Sequence, residues 1–178
     1  NVQLHRDEGE GYYLNLTSGA PVWFVMWRID EEDPSRAWPE LVTLSYNEAG
    51  RLTFSGGDQS STSGTFDATA DGTSVEFGFS GYTLTSGAAL DGSFELSFAT
   101  VQLDTDITIA GSLIQSGGEL QGSGDLTIDG TFEWLSGVQT GPGDTIISAA
   151  GSATLSPGGF QLTLQGGRDL LNHGAIEA

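Results

Sequence analysis

The side chains of this sequence that could do chemistry are mostly carboxylates. Asp104 and Asp106 lie two apart, a spacing that puts both on one face of a strand. Asp125, Asp129 and Asp144 follow in Gly-rich surroundings and are read as corner residues. Paired carboxylates can ligate Ca²⁺ or act as the acid and base of glycoside hydrolysis. Neither an Asp-x-Asp-x-Asp-Gly loop nor a Gly-Gly-x-Gly-x-Asp repeat is present. Asp104 and Asp106 are therefore read as a weak surface Ca²⁺ site, and Ca²⁺ is the one cofactor the sequence suggests.

Other reactive residues are sparse. His5 stands in a polar stretch and His173 in "LLNHG", with no second His at ligand spacing, so His173 is read as a turn residue and Asn172 as a corner residue. No Ser-His-Asp order, phosphate loop or dinucleotide fingerprint occurs, and a non-enzymatic protein is expected. Core packing is the commoner use of Trp, yet exposed Trp rings also stack on sugars. Among Trp23, Trp27, Trp38 and Trp134, the glycan-binding candidates are Trp23, Trp27 and Trp134. "NLT" at Asn15 matches an N-glycosylation acceptor.

The balance of charge narrows the partners. Asp and Glu number 24 against five Arg and no Lys, a formal net charge of −19. Such a surface repels phosphate backbones, so nucleic acid is not expected as a partner. Cysteine is absent, which removes disulfide scaffolds and thiolate sites. The longest apolar run, Val22 to Trp27, is too short to span a bilayer, and no signal peptide is visible in the polar opening residues. Charged residues make up only 16% of the chain, below the roughly 25% of ordinary domains, so Ser, Thr, Gln, Asn and Gly must cover the surface.

The elements that must position these residues read as strands. Apolar runs of four to eight residues, rich in Val, Ile, Thr and aromatics, are bounded by Gly and Ser. Residues 1–56 read as antiparallel hairpins, 57–63 as a polar linker and 64–178 as a strand repeat. One helical turn is expected in "EEDPSRAWPEL", Glu31 to Leu41, between Pro34 and Pro39. Val75, Phe77 and Phe79 share one strand face, as do Phe94, Leu96 and Phe98.

From about residue 92 a Gly-[Ser/Thr]-apolar triplet, or a near relative, recurs every nineteen to twenty-three residues, at Gly92, Gly111, Gly130, Gly151 and Gly174. Three short strands per unit at a period near twenty is the pattern of a parallel β-solenoid, whose coils bury their inward residues only when stacked. Leu113, Phe132 and Ala153 should then form one column. Ile128 and Ile147 should form another, continued by Leu170 or Leu171. Corner glycines are expected to supply positive φ. A β-sandwich with short hairpins is the alternative fold.

Two stretches resemble known repeats. "VTLSYNEAGRLTF" at 42–54, with Tyr46, Asn47, Gly50 and Arg51, resembles one copy of the YD repeat of Rhs-type surface proteins, with Asn for Asp, and no function is drawn from it. Residues 111–178 carry Gly130, Thr131, Phe132, Trp134, Gly137, Gly141, Gly143 and Ile147, then Arg168, Leu170, Asn172 and Gly174. This pattern resembles the Gly-rich β-helix repeats of large bacterial surface and adhesin-like proteins. The resemblance implies an exported, non-enzymatic β-helix at the cell surface or outside the cell, with no catalytic residues to transfer.

The functional expectation is a structural or adhesive element that self-associates or packs on neighbouring domains, extending into fibres through strand edges. "LLNHGAIEA" falls just after a new unit begins, so a further stretch of chain or another molecule is expected to pair there. A carbohydrate-binding module that meets glycans through its Trp residues is the second reading. A polysaccharide-active β-helix enzyme is the third.

Overall fold

A computed structural model describes residues 50–55, 60–79 and 81–178. Ahead of them it describes the strands Val2–Asp7, Gly11–Leu16, Val22–Ile29 and Ala37–Tyr46 as backbone. Every regular element among these residues is a strand, and the chain from Arg51 onward winds into a parallel β-solenoid of about six turns. A sandwich is thereby excluded. The polar residues 57–59 of the expected linker and residues 31–36 of the expected helical turn lie outside the described residues.

Each turn, or rung, contributes a strand to each of three faces. The first face stacks Arg51–Ser55, Ser74–Phe79, the second half of Ala89–Leu96, Ser112–Gln115, Thr131–Trp134, Ser152–Leu155 and Ala175–Glu177. The second stacks Ser60–Thr62, Gly81–Leu84, Thr100–Leu103, Glu119–Gly122, Gly137–Thr140 and Leu162–Gln165. The third stacks Ile107–Ile109, Leu126–Ile128, Thr145–Ile147 and Leu170–Asn172. Earlier on that side Thr65–Ala68 pairs with the first half of Ala89–Leu96. Strands pair in register because residue types repeat at the same place in each rung, about 4.8 Å apart.

Parallel pairing begins well before residue 92. Arg51–Ser55 is the changeover strand, antiparallel to Ala37–Tyr46 on one side and parallel to Ser74–Phe79 on the other. Ser60–Thr62, inside the expected linker, is a second-face strand. Ala37–Tyr46 is a strand where the end of the helical turn was expected, pairing antiparallel with Val22–Ile29. A ladder on both sides supplies more backbone hydrogen bonds than one isolated turn between two prolines.

Alternation of side chains along each strand builds the core. One first-face column runs Leu52, Val75, Phe94, Leu113, Phe132, Ala153, Ile176. The expected triple Leu113, Phe132, Ala153 lies within it. Phe94 and Phe132 are almost wholly buried, each contributing about 2 kcal/mol of burial energy. On the third face Ile128 stacks on Ile147. The next residue in that column is Asn172, not Leu170 or Leu171, because Leu170 aligns with Thr145. Asn172 accepts the Gly174 N–H at 3.0 Å and closes the turn locally.

The recurring glycine has a different cause from the one expected. Gly92 has φ +105°, but Gly111, Gly130, Gly151 and Gly174 do not lie in the left-handed region. A Cβ on Gly130 would instead fall inside the contact distance of the Gly111 and Ala110 carbonyl oxygens of the rung before. Close approach of backbone to backbone selects glycine along this corner.

Candidate functional site

Two constellations concentrate the polar chemistry, one inside the solenoid and one on its surface. The interior one begins at Arg168, which is 2% exposed. Arg168 sits on the turn before Leu170–Asn172 and reaches back across two rungs. Its Nε donates to the Thr140 carbonyl at 3.2 Å. Nη1 donates to the Asp144 carbonyl at 3.0 Å and the Thr145 hydroxyl at 3.3 Å. Nη2 donates to the Gly122 and Gly124 carbonyls at 3.3 and 3.2 Å. A planar guanidinium with five N–H groups suits this ring of oxygens, and an ammonium does not.

The network continues through the core. Thr145 Oγ1 donates to Gln139 Oε1 at 2.6 Å, Gln139 Nε2 to Gln115 Oε1 at 2.8 Å, and Gln115 Nε2 to the Val138 carbonyl at 3.2 Å. Thr145, Gln139 and Gln115 are buried at core positions. The chain of donors and acceptors satisfies polar groups that would otherwise be costly to bury.

An aspartate ladder flanks this interior charge. Asp106 Oδ1 accepts the Asp125 N–H at 2.9 Å, Asp125 Oδ1 the Asp144 N–H at 2.7 Å, and Asp144 Oδ1 the Asp169 N–H at 3.2 Å. Burial pulls the Arg168 pKa below its ordinary value, and the Asp125 and Asp144 carboxylates oppose that pull. The guanidinium remains charged.

The surface constellation lies on the first face. Arg51 pairs with Glu76 at 2.9 Å and with Glu95 one rung further on. Glu76 also accepts hydroxyl donors from Thr53 at 2.8 Å and Ser97 at 2.7 Å, and Glu95 accepts from Ser116 at 2.8 Å. Burial pushes the Glu76 carboxyl upward, but the Ser97 and Thr53 hydroxyls and the Arg51 guanidinium together hold it below the usual carboxylate value. At the adjoining corner Phe79 and Phe98 stack with ring centroids 5.3 Å apart and planes 11° from parallel. They are 59% and 68% exposed.

These positions correct several expectations. Phe79 is not on the core face with Val75 and Phe77, because a register shift opposite Phe54 and Ser55 turns it outward. Phe98 is not on the core face with Phe94 and Leu96, because the strand ends at Leu96 and Ser97 takes the buried corner place. Trp134 is 2% exposed, stacks on Phe132 at 6.1 Å and donates Nε1–H to the Ser136 carbonyl, so it has no ring face for a glycan. Trp23 and Trp27 belong to the described strand Val22–Ile29 and Asn15 to Gly11–Leu16, but their side chains lie outside the described residues.

Asp104 and Asp106 flank the corner between Thr100–Leu103 and Ile107–Ile109 and do not share a strand face. Asp104 accepts from Gln102 Nε2 at 2.7 Å while Asp106 caps the next rung. Among the described residues no three His, Cys, Asp or Glu side chains converge to hold a metal ion. His173 is a turn residue whose N–H donates to the Ile147 carbonyl at 2.8 Å.

The interior network escaped sequence reasoning because four of the five partners of Arg168 are backbone carbonyls 24 to 46 residues away, which leave no motif. The surface phenylalanines were visible as residues, but the bulge that exposes Phe79 has no signal beyond Gly78. No helix among the described residues is long and apolar enough to cross a membrane.

A family model described as a protein of unknown function (DUF3305) matches residues 1–62, ahead of most of the solenoid. No curated protein and no solved structure matches the chain.

Proposed function

We propose that this chain is a structural, non-enzymatic element of an exported cell-surface β protein, and that it works by adding rung to rung. The observation that carries this reading is the in-register stacking of about six rungs, each of which buries its inward residues only against its neighbours. Leu164 continues the core column Tyr82, Val101, Leu120, Gln139, yet it is 40% exposed. Leu162–Gln165, Leu170–Asn172 and Ala175–Glu177 are the edge strands of their sheets. A further parallel rung, whether from this chain or another, would pair on those strands and cover that column. The polar groups beneath them serve structure: Arg168 ties three rungs together and the aspartate ladder caps backbone N–H groups.

Light scattering on size-exclusion fractions of the 178-residue chain tests the reading. Mass should rise with concentration, and with salt, which screens the repulsion of an acidic surface. Leu164→Lys places a charge at the end of the core column and should hold the chain monomeric. A wild type that stays monomeric at every concentration and salt level refutes the proposal.

A further inference from the structure

Phe79 and Phe98 are large apolar side chains left in water on two successive rungs, set apart from the exposed Phe160, Leu164 and Leu171 of the late rungs. They are held in place. The Tyr82 hydroxyl donates to the Phe79 carbonyl at 3.0 Å, and the Phe98 N–H donates to the Gly78 carbonyl at 2.9 Å. The residue one rung beyond Phe98 is Gly117, which has no side chain to continue the stack.

The second face begins beside the pair. Thr100, two residues after Phe98, is half-buried and outward in its strand, as are Gln102 and Gln121. Gln121 Nε2 donates to Gln102 Oε1 at 3.1 Å, and Gln102 Nε2 donates to Asp104 at 2.7 Å, so the two amides form a fixed ladder at rung spacing. The aromatic pair, the hydroxyl and the two ordered, uncharged amides together span three rungs.

Area and charge select the occupant. The two rings expose roughly 250 Å² between them at about 200 Å² per phenylalanine. A stable protein partner needs about 800 Å² on each side, so the patch is too small to anchor one. The net charge of −19 repels polyanions. What fits is a small neutral ring with an apolar C–H face and hydroxyl groups at its rim. We infer that Phe79 and Phe98, with Thr100, Gln102 and Gln121, form a binding site for a neutral pyranose oligosaccharide, one ring of it against the phenylalanines and the hydroxyls of the neighbouring units on the amides. The site does not depend on stacking between chains, so its test and the assembly test fail separately.

The test is NMR on the 178-residue chain with ¹³C-labelled phenylalanine, titrated with neutral hexasaccharides of glucose, galactose, mannose and N-acetylglucosamine, and with polygalacturonate. The Phe79 and Phe98 ring signals should shift saturably with at least one neutral oligosaccharide and not with polygalacturonate. Phe98→Ala should weaken that binding about tenfold. Because the ring is exposed, the same variant should unfold at the wild-type temperature. Gln121→Ala should weaken binding without moving the ring signals of the free protein. The inference is overturned if no neutral oligosaccharide shifts the ring signals, if Phe98→Ala binds as wild type, or if polygalacturonate binds equally well.

Discussion

Removing the Arg168 guanidinium should unravel the late rungs. In Arg168→Met the stem is kept and all five donated hydrogen bonds go, at 3.0 to 3.3 Å. The carbonyls of Gly122, Gly124, Thr140 and Asp144 then lose a buried donor, and Asp125 and Asp144 lose their opposing charge. Hydrogen bonds to a charged donor contribute about 1.5–3 kcal/mol each, which would sum to far more than is observed when one buried ionic partner is removed. That direct comparison gives about 3–5 kcal/mol, because water enters and some carbonyls find it, so about 4 kcal/mol is expected here. Arg168→Lys keeps the charge with three donors and no fork, and should cost about 2 kcal/mol. Urea unfolding supplies the stability, and hydrogen exchange supplies the location. Repeat stacks lose stability locally, so Thr131–Trp134, Gly137–Thr140 and Thr145–Ile147 should exchange faster while Ser74–Phe79 is unchanged. An Arg168→Met variant within about 0.5 kcal/mol of wild type, a margin typical of inert surface changes, would refute the clamp.

Three further outcomes follow from the same geometry. Gly130→Ala drives a Cβ into two backbone carbonyls and should cost about 3 kcal/mol by overpacking, whereas Gly159→Ala, with φ +96° and open space around it, should cost about 1 kcal/mol; thermal unfolding of both compares them. Gln115→Leu removes the acceptor of the Gln139 amide and the donor to the Val138 carbonyl, and denaturant titration should read a loss of about 1–3 kcal/mol. The folded pKa of Glu76 lies below its ordinary value of 4.5, so its stabilisation is complete above that value and fades as pH falls through the lower folded one. Unfolding midpoints of wild type and Glu76→Gln should therefore differ most near neutrality and converge in strong acid. A constant gap would contradict the assignment.

The solenoid was legible because its physics is periodic. Gly111, Gly130 and Gly151 recur where backbone crosses backbone, and Leu113, Phe132 and Ala153 recur where the core needs volume. Legibility failed in the early rungs, where Thr73 stands two residues ahead of Val75 as Gly92 does ahead of Phe94, and the Gly-[Ser/Thr]-apolar triplet is lost. The spacings themselves, twenty-three residues from Leu52 to Val75 and nineteen from Val75 to Phe94, match the later rungs, so the missing triplet hid the early start of parallel pairing. Period-two reasoning also carried Phe79 and Phe98 into the core, since it cannot see a bulge at Gly78 or a strand that stops at Leu96. Of the surface site, Gln102 and Gln121 are unremarkable as sequence and become a ladder only through the register that aligns them. Arg168 lies within a repeat-like pattern, and nothing in its spacing distinguishes a buried staple from a surface cation.

Rung addition, the central claim, is tested most directly by hydrogen exchange with mass spectrometry on the same chain, dilute and concentrated. The amides of Leu162–Gln165, Leu170–Asn172 and Ala175–Glu177 should gain protection in the concentrated sample, while those of Thr131–Trp134, already paired on both sides, should not change. Edge-strand amides that exchange at the same rate at both concentrations would contradict it.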